Sequence, residues 1–467
     1  MEQIEQNILT LTDSYKASHW RQYPAGTERV FSYFESRLGA RWHETVFFGL
    51  RYFIRQYLVG QVVTQRFINE ADRLFAAHFG GAGVFNKEGW QRLLEKHDGR
   101  LPVRIHAAPE GTVVPVGNAL MTIENTDPEF PWLTNYLETL LVQVWYPCTV
   151  ATQSREMKRT ILRYLEETGD PAGIGFKLHD FGFRGVSSVE SAGLGAAAHL
   201  VNFMGTDTVR GLELLAAVYG APMAGFSIPA SEHSTMTSWG REHELDACRN
   251  MLVQHPTGAI ACVSDSWDII ECCREIWGGA LREMVLDREG TLVVRPDSGD
   301  PLKVVPEVIR ILGERIGQKK NEKGFFVLDP HVRVIQGDGI DADSIEGILE
   351  AVKQAGYSAD NLAFGSGGGL LQKLNRDTQR FAFKCSAIEI NGQWQGVQKR
   401  PASDLSKSSK AGRLQLWRNE AGEFTTAEEA SGEGWAAHLE LVFEDGHSVQ
   451  DWRRSDSFEA IRLRAGL

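Results

Sequence analysis

Acidic and basic residues stand at the ends of several apolar runs in the second half of the chain. In VVRPDSGDP, Arg295 and Asp297 are two positions apart at the end of such a run, so both side chains would leave one face of a strand. In QGDG, one run later, Asp338 follows Gly337 in the same way. Converging carboxylates repel one another unless sugar hydroxyls, Mg²⁺ or a developing cationic charge lie between them. The repetition predicts recognition of hydroxyls or a cation, whereas a single Arg-Asp pair is also typical of a structural ion pair.

A glycine-rich segment, AFGSGGGLLQK, predicts an anion site. Four of the five residues in 365–369 are glycine, and an apolar run ending in Lys373 follows them. Backbone N–H groups of such a loop at the start of a helix bind phosphate, and Arg376 and Lys384 add mobile positive charge. The segment is not a Walker A loop, because Leu370 follows the last glycine. Consecutive glycines cost conformational entropy, which favours close approach of a ligand over a plain strand-to-helix turn.

HDFGFRG carries groups that suit a planar heterocycle. Phe181 offers a flat aromatic face and Arg184 follows it, although a core aromatic beside a surface arginine is the alternative. Asp207, in GTDT, would accept a hydrogen bond from an amide N–H₂ group on such a ring. His233, in SEHST, is a weaker candidate, because a histidine there is also typical of a helix cap. Its spacing to His243 fits no HExxH zinc site.

These residues follow a repeated pattern of predicted elements. Seven short apolar or β-branched runs alternate with amphipathic stretches of ten or more residues, which predicts successive βαβ units. Seven units favour a barrel, and barrel enzymes carry their active sites at the carboxyl ends of the strands, where Ser227 and Asp265 also stand. We therefore predict an α/β fold with a catalytic barrel over residues 176–384. Residues 1–175 and 385–467 contain helical and antiparallel patterns, and together predict a smaller β-containing domain.

The composition restricts the class of partner. The 467 residues carry 49 Lys and Arg against 61 Asp and Glu, a net charge of −12. Nucleic acids and anionic membranes both require a basic face, so we expect neither as a partner. No basic segment followed by an apolar one stands at the N-terminus, which favours a cytoplasmic protein. The six cysteines lack CxxC pairs and are expected to be reduced, mostly buried thiols.

Several motifs together resemble the nicotinamide phosphoribosyltransferase family. They are LTDSYKASHWRQYP, HDFGFRGVSS, GTDTV, SIPASEHST, VSDSWDI, RPDSGDPL, IQGDGID and AFGSGGGLLQKLNRD, in the family's order over about residues 7–413. The resemblance implies the irregular, incomplete α/β barrel of type II phosphoribosyltransferases and a homodimer with shared active sites, to whose interface residues 1–175 contribute. It also implies a reaction of NAD salvage in which nicotinamide and 5-phosphoribosyl 1-pyrophosphate give nicotinamide mononucleotide and pyrophosphate. Mg²⁺ is the implied cofactor and ATP an optional co-substrate.

The resemblance also implies roles for individual residues. Phe181 would stack on the pyridine ring, with the partner subunit's Tyr15 on the other face. Arg295 and Asp207 would bind the carboxamide, and His233 matches a histidine that is phosphorylated when ATP is hydrolysed. The implied catalytic residues are His233, Asp297 and Asp265. Other implied substrate-binding residues are Gly337 and Asp338 for the ribose, with Asp297; Gly367, Gly368 and Arg376 for the 5-phosphate; and Arg37 of the partner subunit, Arg184, Lys384 and Lys399 for pyrophosphate. Ser227, Ser266 and Lys373, a mobile cation beside the glycines, are further substrate-binding candidates. No direct metal ligand is implied.

Two residues depart from the family's pattern. Ala261 stands where the family can offer a serine hydroxyl to the carboxamide, which leaves one donor fewer near the base, and Phe183 replaces a tyrosine. Asp207 would repel a carboxylate and accept from an amide, so we predict that nicotinamide is preferred to nicotinate. The alternatives are a nicotinate phosphoribosyltransferase of the same fold and a catalytically silent barrel that binds phosphosugars.

Overall fold

The chain forms two compact units in a computed structural model. The structure describes residues 6–400, 408–429, 432–449 and 456–467. The first unit comprises Met1–Thr152, Val218–Gly220 and Leu374–Ala465, and the second comprises Gln153–Ala217, Ala221–Lys373 and Gly466–Leu467. The predicted domain boundaries at 175/176 and 384/385 stay predictions beside these bounds.

The second unit contains a six-stranded parallel sheet. Its strands in chain order are β1 (Leu178–Asp180), β2 (Gly205–Thr206), β3 (Ile260–Val263), β4 (Leu292–Arg295), β5 (Val332–Gln336) and β6 (Leu362–Ser366). Their spatial order is β2-β1-β6-β5-β4-β3, and all the pairs are parallel. Successive strands are joined by helical segments, so the βαβ pattern predicted from the sequence is confirmed.

One of the seven predicted strands, the third in chain order (AGFSIPA), is replaced by a closing segment, residues 226–230. Phe226 forms a single parallel bridge to Gly205 at one edge of the sheet, and Ala230 forms another to Ala261 at the opposite edge. Pro229 within this segment has no N–H group to donate, which prevents a continuous ladder there. The two edge strands of the sheet, β2 and β3, are therefore connected through these single bridges and not through a continuous ladder. The predicted irregular α/β barrel is confirmed.

The helices of the second unit begin where the sequence supplies caps. Asp300 accepts a hydrogen bond from the Leu302 N–H at 3.1 Å, and Pro301 is the first residue of the helix that follows. In the sequence, an aspartate followed by proline is typical of a helix start, and the structure confirms this prediction for Asp300-Pro301. The helical segments of this unit are Pro171–Phe176, Phe183–Gly185, Val189–His199, Val209–Tyr219, whose last two residues belong to the first unit, His233–Thr237, Arg241–His243, Glu244–Gln254, Ile269–Glu271, Cys272–Ala280, Arg282–Leu286, Pro301–Arg315, Ser344–Gln354, Ala359–Asn361 and Gly368–Leu371. A two-stranded antiparallel pair joins Gln318–Lys320 to Phe326–Leu328.

A buried aspartate fixes the carboxyl end of β1. Asp180 is fully buried and accepts hydrogen bonds from the Gly182 N–H at 2.7 Å and from the Thr206 hydroxyl at 2.8 Å. Burial raises the pKa of Asp180 despite these donors. Because Thr206 ends β2, this carboxyl group ties two neighbouring strand ends together and orients the loop that begins at Phe181.

The first unit contains a seven-stranded antiparallel sheet with strands from both ends of the chain. In spatial order these strands are Gln393–Gly396, Phe381–Ile390, Thr27–Ser36, Ala119–Asn125, Val103–Ala107, Glu440–Glu444 and His447–Ser448. The other described strands are Phe424–Ala427, Gln415–Asn419 and Trp435–Ala437 in a second sheet, and Glu44–Val46 paired with Val113–Pro115. The antiparallel pairing predicted for both chain ends is confirmed.

The helices of the first unit include an amphipathic one that buries a single stripe. Thr64 accepts from the Phe67 N–H at the start of Gln65–His78, and Ile68, Ala71 and Phe75 form its buried face. The helical segments of this unit are Ile8–Thr10, Ser14–Arg21, Leu50–Phe53, Ile54–Leu58, Gln65–His78, Lys87–His97, Leu133–Tyr136, Glu138–Leu141, Val142–Val144 and Phe458–Ala465. The long helix Trp145–Thr168 begins in the first unit and ends in the second. Among the described helices, we find none with the length and apolar character required to cross a bilayer.

Candidate active site

The carboxyl ends of the parallel strands border a cavity of about 1270 Å³ in the second unit. Parallel strands bring their carboxyl ends to one edge of a sheet, which is how side chains distant in the sequence meet here. The lining residues that were predicted from the sequence are Phe181, Arg184, Asp207, His233, Arg295, Asp297, Gly337, Gly367 and Gly368. An aromatic ring, three kinds of charged side chain and the glycine loop therefore share one cavity.

Asp265 is not among the lining residues, but it accepts hydrogen bonds from two of them. One of its carboxylate oxygens is 3.0 Å from Nε2 of His233, and the other accepts from the backbone N–H of Asp297 at 3.0 Å. Only 2% of the Asp265 side chain is exposed, against 48% for His233. We predicted Asp265 as a catalytic residue, but these contacts fit a positioning residue that orients an imidazole and a loop.

Asp297 lies among charges of both signs. A guanidinium N–H of Arg295 donates to it at 3.3 Å, and a Cβ atom at position 337 would lie 3.0 Å from its Oδ1 atom, so Gly337 makes room for this carboxylate. Burial raises the pKa of Asp297, Asp265 and the exposed Asp338 raise it further, and Arg295 and His233 oppose them. A ligand that brings positive charge or hydroxyl donors would stabilise the ionised carboxylate of Asp297.

Phe181 owes its position to a glycine on the neighbouring strand. A Cβ atom at Gly365 would lie 1.9 Å from Cε2 of the Phe181 ring. Gly365 is in β6, which pairs with β1 just before Phe181, and the Phe181 N–H donates to the Ser366 carbonyl at 2.9 Å. The ring therefore packs directly over the backbone of β6 at the wall of the cavity.

The four glycines of residues 365–369 have different structural roles. A Cβ atom at Gly369 would lie 2.2 Å from the Ile340 carbonyl oxygen, so Gly369, like Gly365, is required by packing. Our interpretation that close approach of a ligand explains the consecutive glycines is wrong for Gly369, because the sequence does not show which backbone atoms lie opposite. A Cβ atom at Gly368 would meet nothing within 4 Å, and one at Gly367 would make only an ordinary contact, 3.6 Å from the Phe181 carbonyl oxygen. The N–H groups of both glycines donate to no residue in the described part of the chain. These two glycines offer donors to an anion.

Four more predicted residues of this unit lie near the cavity without lining it. The Ser227 hydroxyl donates to the Asp207 carboxylate, and Asp338, at the end of β5, is exposed. The Ser266 hydroxyl is buried and has no hydrogen-bond partner among the residues that the structure describes. Lys373 is exposed and forms an ion pair with Asp341 at 3.3 Å. A phosphate bound by Lys373 would compete with Asp341 for its ammonium group.

The remaining predicted residues belong to the first unit, so the structure does not test whether they reach this cavity. Tyr15 is 56% exposed there. Burial lowers the pKa of Lys384, Glu138 opposes the shift, and Arg37 and Arg376 add to it. These three cations therefore form a cluster of positive charge within the first unit, and their roles toward substrate stay predictions.

No role was predicted for several lining residues, among them Ser188 and Thr208. Nor was one predicted for His179, which contacts Asp207. Its Nε2 atom is 3.2 Å from Oδ1 of Asp207, and its ring centroid is 5.2 Å from that of Phe181. The signal was present in HDFGFRG, since a strand places residues 179 and 181 on one face. It gave no indication that Asp207, on another strand, would be the partner.

Comparisons with known proteins agree with this architecture. Nicotinate-nucleotide pyrophosphorylase from Pyrococcus furiosus has a similar fold, with a TM-score of 0.60 at 18% identity over 99% of this chain and 96% of that one. Human nicotinic acid phosphoribosyltransferase has a TM-score of 0.56 at 16% identity over 97% and 92%. At such identities the likeness concerns the fold alone. The chain and these two proteins share one fold class, the irregular α/β barrel.

Sequence comparisons identify the family. The model of the nicotinate phosphoribosyltransferase (NAPRTase) family matches residues 176–447, and that of the nicotinamide phosphoribosyltransferase N-terminal domain matches residues 7–105. The chain is 51% identical to a nicotinamide phosphoribosyltransferase of Xanthomonas campestris pv. campestris over 98% of both chains. It is 33% identical to one of Acinetobacter baylyi over 94% of both. The chain belongs to the NAPRTase family, and the resemblance to nicotinamide phosphoribosyltransferases read from its motifs is confirmed.

Proposed function

We propose that this protein is a nicotinamide phosphoribosyltransferase of NAD salvage. It joins nicotinamide to 5-phosphoribosyl 1-pyrophosphate and releases nicotinamide mononucleotide and pyrophosphate. The observation that carries the proposal is the meeting of Phe181, Asp297 and the glycine loop at Gly367 in one cavity. An aromatic face, a carboxylate and free backbone donors match the base, the ribose and the 5-phosphate of the two substrates.

The reaction needs no covalent intermediate with the protein. The pyridine nitrogen of nicotinamide forms a bond to C1′ of the ribose while the bond from C1′ to the pyrophosphate oxygen breaks, and the electron pair leaves with pyrophosphate. Positive charge develops on the sugar, and the fixed carboxylate of Asp297 stabilises it without reorganisation. Phe181 orients the ring for attack, and the N–H groups of Gly367 and Gly368 hold the far end of the sugar.

We propose that Mg²⁺ binds together with the pyrophosphate group of the substrate. In the described part of the chain no group of three or more His, Cys, Asp or Glu side chains forms a metal site. Asp297 and Asp338 lie close enough to influence each other's charge, and one or two carboxylates plus phosphate oxygens suit Mg²⁺. When bound with the pyrophosphate, the ion would neutralise charge on the leaving group. Asp297 and Asp338 are the residues that would bind it.

We further propose that the active protein is a cytoplasmic homodimer. The family resemblance supports this, because it places Tyr15 and Arg37 of the partner subunit in each site. The exposure of the Tyr15 ring fits that role, since a large apolar side chain on the surface is available to a second chain.

Nicotinamide should be a better substrate than nicotinate by about 100-fold in kcat/KM, since a carboxylate placed against Asp207 costs several kcal/mol. Pyrophosphate release is measured with each base, 5-phosphoribosyl 1-pyrophosphate and Mg²⁺. Better use of nicotinate would favour a nicotinate phosphoribosyltransferase. Absence of pyrophosphate from a well-folded protein would favour the silent phosphosugar-binding barrel.

ATP hydrolysis is proposed to proceed through His233. Because the Asp265 carboxylate accepts from Nε2, this nitrogen carries the proton and Nδ1 carries the lone pair. Nδ1 attacks the terminal phosphorus of ATP, the bond from phosphorus to the ADP oxygen breaks, and water later hydrolyses the phosphohistidine.

In the His233→Ala variant, the ratio of synthesis rates with and without ATP should fall to about one, and ATP hydrolysis should disappear. His243→Ala is the matched control, because His243 is an exposed histidine paired with Asp246 outside the cavity. Both quantities are measured in the presence of nicotinamide. Retention of the ATP effect in His233→Ala would contradict this role.

A further inference from the structure

His179 occupies a position that is built for an imidazole. It lies on β1 with 14% of its side chain exposed, and its Nε2 atom is 3.2 Å from Oδ1 of Asp207. On its other side, a Cβ atom at Gly205 would lie 2.4 Å from Nδ1 of the ring. The neighbouring strand β2 therefore leaves room for the imidazole only because residue 205 is glycine.

The two oxygens of Asp207 are in different situations. Oδ1 accepts from His179 and from the Ser227 hydroxyl, whereas Oδ2 accepts from no residue in the described ranges. An ionised carboxylate only accepts hydrogen bonds, so Nε2 of His179 and the Ser227 hydroxyl both carry the protons. Asp207 also lines the cavity. Two donors thus fix one oxygen and leave the other for a ligand.

We propose that His179 is a positioning residue that sets the base specificity of the enzyme. By donating Nε2–H to Oδ1, it keeps the Asp207 carboxylate ionised and oriented so that Oδ2 accepts from the amide N–H₂ of the base. The inference rests on the proposed transfer to nicotinamide. An amide N–H₂ group donates a hydrogen bond to Oδ2, whereas a carboxylate at the same place would be repelled by the negative charge of Asp207.

The charges around Asp207 give this role a pH dependence. Burial pushes the pKa of Asp207 upward, but the hydrogen bonds from His179 on β1 and Ser227 on the closing segment, together with Arg295 on β4, bring it below its usual value. The ionised form exists above this pKa, so amide binding is complete above it and is lost as the pH falls through it. Removing the His179 donor raises the pKa and moves this acid limb to higher pH.

The test compares His179→Leu, which removes the donor, with His179→Gln, whose amide N–H₂ group reaches about as far as Nε2. For His179→Leu we expect KM for nicotinamide to rise about tenfold or more and KM for 5-phosphoribosyl 1-pyrophosphate to change less than about twofold. The acid limb of kcat/KM for nicotinamide should move to higher pH. His179→Gln should recover most of both effects.

A third variant tests the inference independently of whether His179→Leu folds. Gly205→Ala keeps every charged group and displaces the imidazole, so it should also raise KM for nicotinamide. The inference is overturned if the acid limb stays in place in His179→Leu, if KM for both substrates rises equally, or if His179→Gln behaves like His179→Leu. A wild-type protein that releases no pyrophosphate from nicotinamide would instead overturn the proposed function, and this inference with it.

Discussion

Replacing Asp297 by asparagine is expected to lower kcat by about a thousandfold, the largest effect of any single change in the site. The substitution keeps the size of the side chain and removes the charge that faces the developing cation on the sugar. Fixed electrostatic groups of this kind contribute mainly in the transition state, so KM for both substrates should change much less than kcat. Steady-state kinetics with each substrate varied in turn separates the two quantities.

The control for this prediction is Asp300→Asn in the same loop. Asp300 caps the helix Pro301–Arg315, and asparagine caps a helix about equally well, so the variant should retain activity within about threefold. If Asp297→Asn kept more than about a tenth of the wild-type kcat, the carboxylate would not be the group that stabilises the sugar cation.

Gly365→Ala should lower kcat/KM for nicotinamide by about 100-fold through displacement of the Phe181 ring. The added methyl group would lie 1.9 Å from Cε2 of that ring, far inside van der Waals contact, so the ring must move. The backbone of residue 365 is an ordinary strand, and therefore the effect comes from the ring rather than from strain at the glycine. Kinetics with nicotinamide varied, together with a thermal melt, measure the loss and check that the protein is folded.

A double-mutant cycle separates ring displacement from a general packing defect. If Gly365→Ala acts through the ring, its effect on kcat/KM should largely vanish in a Phe181→Leu background. Gly173→Ala is the matched control, because its Cβ atom would lie 3.7 Å from the Lys177 side chain, an ordinary contact. Full additivity of Gly365→Ala and Phe181→Leu would contradict the explanation.

The sequence predicted those parts of the fold and site that depend on local pattern. The alternation of apolar runs and amphipathic stretches predicted the barrel, and Asp300-Pro301 predicted a helix start, because periodicity and capping are properties of neighbouring residues. Placing Asp297 and Phe181 at one cavity followed from the rule that parallel strands share a carboxyl edge.

The parts that could not be predicted depend on contacts between distant segments. Nothing in the motif VSDSWDI indicates that Asp265 contacts His233, since this contact depends on where another loop lies. Gly365 and Gly367 look alike in sequence, yet a Cβ atom would clash with an aromatic ring at the first and make only an ordinary contact at the second. The closing segment has the apolar character of a strand, and only its two single bridges show that it does not form a ladder.

The closing segment has a consequence for how the substrate range of this family changes over evolutionary time. Its backbone is bound to the sheet at two points, while Ser227 between them contacts Asp207, the residue that we propose selects the base. Regions with few backbone hydrogen bonds open at a lower free energy than continuous ladders. Substitutions there can enlarge or reshape the compartment for the heterocycle without disturbing the six paired strands, so new base preferences can arise while the phosphate and ribose contacts are retained.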